Sequence, residues 1–235
     1  MLYLISVGIE PKRAFKFMEA VRKGKVKKGK VDTWGEWVDD MKAHQVPDWY
    51  IDSLAKIGYL FPKAHAVAYV IMAFRIAWYK VHYPLAFYAT FFSVRAKAFD
   101  AEICCTSLEE VKRKIREIEN NKDATAVEQD LMVTLEVCYE FFLRGFRFLP
   151  ISIYDSEATR FKPVGDDALL PPFTAVHGLG EAAAEDTVEK RKGKHFISVE
   201  EFSECCGKLS KTHIEQLKAL GAFAGMSDTS QISLF

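Results

Sequence analysis

The stretch from Pro171 to Lys192 reads PPFTAVHGLGEAAAEDTVEKRK. An apolar run ends at His177, and the glycine-leucine-glycine turn Gly178–Gly180 follows. Because glycine adopts tight-turn conformations at no steric cost, this turn can expose successive backbone N–H groups. From about Glu181 the residues favour a helix, whose N-terminal end would face the same place. We therefore expect a tight turn that leads directly into a helix.

This arrangement is typical of a helix-hairpin-helix element, in which turn N–H groups and a helix N-terminus together bind a phosphate. Basic side chains at the far end of the predicted helix, Lys190, Arg191 and Lys192, could reach neighbouring phosphates. The same residues also fit a glycine turn before an ordinary helix. The turn alone does not separate a phosphate-binding role from a purely structural one.

The composition allows a sizeable core, but the net charge gives no support for a nucleic-acid partner. The chain has 235 residues, of which 49% are hydrophobic, enough for one large or two modest domains. Basic and acidic residues number 32 each, so any basic surface must be local. The five cysteines match neither a zinc site nor a disulfide framework, and no signal peptide is visible. These features favour the cytoplasm.

The longest apolar segment runs from Phe61 to Arg75 and continues to about Val81. A membrane span is excluded, because Arg75, Lys80 and Pro84 interrupt the segment well short of the roughly 20 residues that a span needs. We expect a buried helix here instead, followed by a second helix that begins at Pro84.

One face of this apolar helix also carries groups that could bind a nucleotide. His65 and Tyr69 are four residues apart and share a face, and Lys63 stands at the helix start. A cation, an imidazole and an aromatic ring at a helix mouth can hold a triphosphate and stack on a base. The alternative is a core helix whose histidine and tyrosine are only hydrogen-bonded, and the spacing does not decide between the two.

A basic run extends from Arg22 to Lys30, where Lys and Arg fill most positions. It could contact a nucleic-acid backbone, because Lys and Arg displace the counterions of phosphates. The alternative is a solvated flexible loop. Further along, residues 107–143 predict two helices that form a solvated hairpin with a packing role.

The sequence changes character near Gly145. Alternation typical of strands occurs in residues 146–154 and 159–164, ahead of the predicted hairpin. After the hairpin, Ser198 and Ser210 have the spacing of helix N-caps. Lys208 and Lys211 lie at the mouth of the second of these helices, where either a phosphate or only solvent would neighbour them.

The predicted fold is mainly α. It consists of a helical region over 1–145, a small α+β helix-hairpin-helix domain over 146–226, and a flexible C-terminal tail over 227–235. The tail ends in QISLF, and two large apolar side chains, Leu234 and Phe235, are costly to leave in water. They suit a partner's pocket, with Gln231 fixing the register by hydrogen bonds. The alternative is that they fold back onto the parent domain.

Four segments, in order along the chain, carry a resemblance to one family. They are YLFPKAHAVAYVIMAFRIAWYKVHYPLAFY (59–88), LLPPFTAVHGLG (169–180), GKLSKTHIEQLKALGAF (207–223) and QISLF (231–235). With these segments the chain resembles the C-terminal part, the fingers and duplex-binding region, of the PolC-type DNA polymerase III alpha subunit. This is a family C replicative polymerase. The likeness covers nearly the whole chain and does not depend on a single motif.

The resemblance implies two sites for nucleic acid. The helix with Lys63, His65 and Tyr69 would belong to the fingers and contact the incoming dNTP. The hairpin would grip the primer-template duplex behind the active site. The residues expected to contact DNA are His177, Gly178, Leu179, Gly180, Lys190, Arg191, Lys208 and Lys211.

The resemblance also implies partners. The terminal motif looks like a site for the sliding clamp, the beta subunit, with Gln231, Leu234 and Phe235 as anchors. The chain would act in the cytoplasm, within the replisome, together with the remainder of the polymerase, and no membrane contact is expected.

Catalysis is expected to lie elsewhere in such a polymerase. Phosphoryl transfer to a 3′ end needs Mg²⁺ ions held by carboxylates, and in this family those aspartates belong to the palm. No matching carboxylate cluster occurs in this sequence, so we expect no catalytic residue, metal or cofactor site in this chain. It would be part of a DNA-directed DNA polymerase, a nucleotidyltransferase, and inactive alone.

Two other interpretations stay open at this point. The chain could be a free-standing, non-catalytic module that binds DNA and the clamp. It could also be a helix-hairpin-helix repair enzyme with Asp186 as its catalytic residue, although the surrounding resemblance argues against this. The coding sequence upstream of Met1 would separate the first alternative from a polymerase fragment.

Overall fold

The computed structural model describes residues 1–95 and 98–230, and it confirms the predicted fold class: mainly α, with one small sheet. The helices are α1 (Leu2–Ser6), α2 (Pro11–Arg22), α3 (Trp34–Ala43), α4 (Asp48–Lys56), α5 (Lys63–His82), α6 (Pro84–Val94), α7 (Ala101–Cys104), α8 (Leu108–Asn120), α9 (Ala126–Leu143), α10 (Glu181–Lys190), α11 (Val199–Cys205) and α12 (Lys211–Ala219). The strands are β1 (Arg147–Phe148), β2 (Lys162–Val164) and β3 (Ala168–Leu170). The chain divides into two compact units, Met1–Arg75 and the part from Ile76 onward.

The first unit has a small core of its own among helices α1 to α4. Helix α2 begins at Pro11, and the Glu10 carboxylate accepts hydrogen bonds from the N–H groups of Lys12 at 3.0 Å and Arg13 at 2.9 Å. This cap satisfies N–H groups that the first helical turn leaves without partners. The buried side chains are Leu4, Ile9, Ala14, Phe17, Met41, Val46 and Ile51, and Trp34 and Trp37 pack against them.

The basic run of the first unit is folded into consecutive hydrogen-bonded turns. Gly24 adopts a φ of +65°, and a Cβ at this position would lie 1.9 Å from the carbonyl oxygen of Gly58. Only glycine fits so close an approach of two backbones. The N–H of Leu60 donates to the carbonyl of Arg22 at 3.0 Å, which ties the end of the segment before α5 to the start of the run. The lysines of the run are exposed.

Helix α5 departs from its sequence-based expectation. Its apolar composition predicts a buried helix, but none of its 20 residues is buried in the structure. Composition indicates that a helix is more stable when covered. It does not indicate that the covering surface belongs to the same chain, and no element of the described residues buries α5.

The part from Ile76 onward is built around a cluster of phenylalanine rings. Helix α6 begins at Pro84, as predicted, and buries Tyr88, Ala89 and Phe92. The fully buried ring of Phe92 lies at the centre. Its centroid is 5.4 Å from that of Phe99, 5.8 Å from Phe141, 5.3 Å from Phe148 and 5.5 Å from Phe161. Such edge-to-face and tilted pairs add to the stabilisation from burial itself.

Helices α8 and α9 pack along each other, as predicted for residues 107–143. Both have side-chain caps. The Ser107 hydroxyl accepts the N–H of Glu110 at 3.3 Å, and Thr125 and Glu128 form a reciprocal capping box. Helix α9 buries Phe141 and three smaller residues, so the pair supports the phenylalanine cluster.

The sheet has the order β1-β3-β2, with β1 parallel to β3 and β2 antiparallel to it. The expectation of a long strand over 146–154 is wrong, because pairing stops at Phe148. Beyond Pro150, the hydroxyls of Ser152 and Ser156 accept local backbone N–H groups and hold the chain in turns. The central strand β3 was not predicted, since its three buried residues look like part of the apolar run before the hairpin.

Candidate nucleic-acid interface

The turn before α10 joins a left-handed glycine to a helix N-terminus without a side-chain cap. Gly178 adopts a φ of +74°, a left-handed conformation that residues with a Cβ rarely take. Leu179 is buried and anchors the turn to the core. Gly180 is the N-cap of α10 and provides no side chain to cap it. The first N–H groups of α10 therefore lack a side-chain acceptor and point towards an exposed turn.

His177 precedes the turn with most of its side chain, 75%, exposed to solvent. Its Nδ1 lies 3.3 Å from a carboxylate oxygen of Asp100, which is mostly buried. The same aspartate accepts the N–H of Glu102 at 2.9 Å and so caps α7. His177 is thus oriented by α7 while the rest of its ring faces the open side of the turn.

A groove of about 900 Å³ opens beside the turn. Its lining includes the turn itself, the N-terminal residue Glu181 of α10, and two arginines, Arg95 and Arg160. Arg95 pairs with Asp130 of α9, whereas Arg160 is exposed. Sequence analysis did not identify either arginine, because the groove is formed by segments far apart in the chain and no local motif marks it.

Two of the predicted DNA-binding lysines converge on Asp186 of α10. The ammonium of Lys190 lies 3.2 Å from one carboxylate oxygen, and that of Lys208 lies 3.1 Å from the other. The hydrogen bond from Lys208, together with that from Lys190, holds the pKa of Asp186 below its usual value. Because Lys208 precedes α12, Asp186 links α10 to the segment before that helix. This structural role accounts for Asp186 without a catalytic one.

Arg191, also predicted to contact DNA, is bound within the chain. Its guanidinium donates to the carbonyl of Ile153 at 2.8 Å and to that of Ser156, and it lies 5.4 Å from the ring centre of Phe173. Burial lowers the pKa of Arg191 despite nearby carboxylates. Through these contacts Arg191 holds the C-terminal end of α10 against the core.

Helix α12 brings a residue to the turn that sequence analysis did not select. His213 forms a capping box with Ser210: its N–H donates to the Ser210 hydroxyl at 3.2 Å, and its Nδ1 accepts the N–H of Ser210 at 3.3 Å. With Nδ1 as acceptor, the proton of the neutral ring is on Nε2. That atom lies 3.9 Å from where a Cβ of Gly178 would be. The sequence feature that could have identified His213 is its position three residues after Ser210, where a capping box usually has Glu or Gln.

Lys211 is the first residue of α12, and its side chain is exposed. It lies two residues before His213, on the helix whose N-terminal end approaches the turn. Of the predicted basic contacts, Lys190, Lys208 and Lys211 are exposed near the helix ends, whereas the charge of Arg191 is turned inward.

In the first unit, the residues predicted to contact a nucleotide are all exposed. The rings of His65 and Tyr69 meet edge to face with centroids 4.6 Å apart, and Phe61 lies 4.9 Å from His65 on the other side. Lys63 is the first residue of α5. The three residues therefore lie near one end of the helix, with His65 and Tyr69 on one face.

The residues predicted to bind a clamp, Gln231, Leu234 and Phe235, lie outside the described residues. Within residues 1–95 and 98–230, no group of three His, Cys, Asp or Glu side chains is arranged to hold a metal ion. Over the same ranges, no helix combines the length and the apolar character needed to cross a membrane.

Comparison with known proteins gives two results. A helix-hairpin-helix motif matches residues 145–231. Proteins named DNA polymerase III PolC-type match the whole chain, with 47% identity in Caldanaerobacter subterraneus subsp. tengcongensis, 44% in Streptococcus pneumoniae and 47% in Oceanobacillus iheyensis. The chain spans 16% of the length of each of these relatives. We conclude that the chain is related, over its whole length, to a segment of the PolC-type DNA polymerase III proteins.

Proposed function

We propose that this chain is the fingers and duplex-DNA-binding part of a bacterial replicative DNA polymerase. Two observations support the proposal: the match of the whole chain to PolC-type polymerases, and the open N-terminus of α10 beside a left-handed glycine. In functional terms, residues 1–145 form the fingers region, 146–226 the duplex-binding domain, and 227–235 the clamp-binding tail.

The duplex-binding domain would hold DNA by its phosphates. The N–H groups of Gly180 and of the first turn of α10 attract an anion without reading a base, whereas the N–H of Leu179 already donates to the carbonyl of Val176. Exposed lysines near the helix ends add positive charge: Lys211 at the start of α12, and Lys190 with Lys208, whose two ammonium groups share the single carboxylate of Asp186. The Nε2–H of His213 lies at the same turn and can donate a hydrogen bond, and the exposed ring of His177 lies beside it. Binding by such groups is independent of base sequence, as a replicative enzyme requires.

The fingers region would contact the incoming dNTP through Lys63, His65 and Tyr69. The lysine ammonium suits the triphosphate, and the exposed ring of Tyr69 can stack on a base. The edge-to-face contact with His65 restricts the orientation of the tyrosine ring. Both rings are exposed in this chain, so a nucleotide can approach them directly.

The tail would bind the sliding clamp through Gln231, Leu234 and Phe235. Catalysis itself needs Mg²⁺ held by carboxylates. In our proposal the metal ions, like the catalytic aspartates, belong to the palm in the remainder of the polymerase. This chain positions the nucleotide, grips the duplex and tethers the enzyme, in the cytoplasm at the nucleoid.

The proposal is tested by measuring the binding of the 235-residue chain to fluorescent duplex DNA across a series of salt concentrations. We expect affinity to fall steeply with salt and to be similar for duplexes of unrelated sequence. Lys211→Gln should weaken binding and reduce the salt slope by about 1, the contribution of a single phosphate contact.

The matched control is Lys122→Gln, which removes an exposed lysine from the turn between α8 and α9. It should leave both affinity and slope unchanged. Strong preference for a base sequence, or equal effects of the two substitutions, would contradict phosphate binding at the hairpin.

A further inference from the structure

Helix α5 has an apolar face that nothing in the described residues covers. Its exposed fractions include 47% for Val67, 52% for Val70, 48% for Ile71 and 74% for Phe74. We call these four residues the docking stripe. All of them lie in the first unit. Their side chains are held on a regular helix, so the stripe is a preformed surface.

The docking stripe has the spacing of a helix face that packs against a partner. Its positions follow the pattern i, i+3, i+4 and i+7, which at about 100° per residue occupy one side of the helix. His65, Tyr69 and Met72 lie on the opposite side by the same geometry. The helix therefore separates the docking stripe from the face that carries two of the proposed nucleotide contacts, His65 and Tyr69. The third, Lys63, is the first residue of the helix and lies on the side of the stripe.

The relatives indicate what covers the docking stripe. About five-sixths of each PolC-type relative lies outside the segment that this chain matches. We propose that the docking stripe packs against that remaining part of the same polymerase, while the opposite face with His65 and Tyr69 stays open. This inference rests on the proposed function, because it requires the chain to act as a segment of a polymerase.

The mode of contact follows from the chemistry of the stripe. It offers no hydrogen-bonding side chain, so its partner must be an apolar surface, and the contact is driven by removal of apolar area from water. An isolated chain leaves this area exposed. Joining it to the remaining polymerase makes the contact intramolecular, which raises the effective concentration of the partner surface.

Hydroxyl-radical footprinting of the unmodified protein tests the proposal. The 235-residue chain is compared with an intact polymerase in which this chain replaces the matching segment of the Caldanaerobacter relative. Oxidation of Phe74 and Ile71 should fall by about tenfold or more in the intact polymerase, as expected for side chains that react only on local opening. Oxidation of Tyr69 and Met72 should stay within about twofold, since their face remains open.

A second measurement uses cysteine labelling, because α5 contains no native cysteine. Phe74→Cys should react with a maleimide in the isolated chain and be protected in the intact polymerase. The matched control, Met72→Cys, should react in both. All the positions substituted are exposed in the chain alone, so folding of the isolated chain does not depend on them.

Other occupants of the docking stripe give different results, and each would overturn the proposal. A second copy would protect Phe74 in the isolated chain as its concentration rises. A membrane would protect it only when phosphatidylglycerol vesicles are added. Equal reactivity in both proteins, or protection of Met72 together with Phe74, would also refute it. Failure of the proposed function is distinguishable, because added dNTP would then leave Tyr69 unprotected whatever happens at Phe74.

Discussion

Helices α5 and α6 follow each other in the chain and are both rich in apolar residues, yet they are covered very differently. None of the 20 residues of α5 is buried, whereas α6 buries Tyr88, Ala89 and Phe92 in a cluster of aromatic rings. The partners of α6 come from α9 and the sheet, within this chain. Apolar composition therefore predicts that a helix will be covered, but it does not predict which part of a protein covers it.

The largest expected effect comes from truncating one phenylalanine in each helix. Phe92→Ala leaves a cavity among four surrounding rings, so we expect it to lower the free energy of unfolding by about 3–5 kcal/mol. Phe74→Ala removes a ring that is 74% exposed and should change stability by less than about 0.5 kcal/mol. Denaturant unfolding of the 235-residue chain, followed by circular dichroism, measures both.

The two variants together test whether α5 and α6 are covered differently in the isolated chain. Similar losses for the two substitutions would mean that α5 is covered within the isolated chain. That result would also remove the basis for the docking stripe.

A smaller effect is expected at the hairpin, where two glycines of one turn have different backbones. Gly178→Ala places a Cβ on a residue with φ of +74°, which costs about 1–2 kcal/mol. Gly180→Ala acts at a φ of −75° in open space and should cost well under about 1 kcal/mol. Thermal unfolding of the two variants tests the difference. Equal costs would show that the left-handed conformation of Gly178 does not constrain the turn.

The smallest effect is expected at Asp186, and it depends on pH. The pKa of this group is lowered in the folded chain by Lys208 and Lys190, so its ionised form favours folding at pH values above the unfolded pKa of about 3.9. That contribution is lost as the pH falls through the lower, folded pKa. Asp186→Asn should therefore destabilise the chain at pH 7, with a difference from the unsubstituted chain that shrinks below about pH 4.

The control for Asp186 is Glu189→Gln, which breaks a pair with Lys192 in which both side chains are more than half exposed. Such surface pairs contribute little to stability. Urea unfolding at pH 7 and at pH values below 4 compares the two variants. A pH-independent effect of Asp186→Asn would show that the loss comes from packing rather than from charge.

Local features of the fold were largely predictable from sequence. The caps at Ser107, Ser198 and Ser210, the start of α6 at Pro84 and the glycine turn follow from hydrogen bonding and backbone sterics within a few residues. These signals are short-range, so neighbouring residues decide them. Taken together, these local signals predicted a mainly α fold.

Features that depend on distant residues were not predictable in the same way. Strand β3 pairs with β1, about twenty residues earlier, and its short apolar sequence fits a core segment equally well. The groove beside the turn is lined by both Arg95 and Arg160, which are far apart in the sequence. The inward orientation of Arg191 depends on carbonyl groups more than thirty residues away in the chain. Local motifs give no information on such contacts, because only the tertiary fold brings the residues together.

The distribution of aromatic residues gives the two units different optical properties. Trp34, Trp37 and Trp49 lie in the first unit, and the fourth tryptophan, Trp78, is half exposed on α5. The large core around Phe92 contains no tryptophan. Intrinsic fluorescence excited at tryptophan wavelengths therefore reports mainly on the smaller core, and melting of the phenylalanine cluster changes the emission little. A single fluorescence trace would thus miss most of the cooperative structure of this chain.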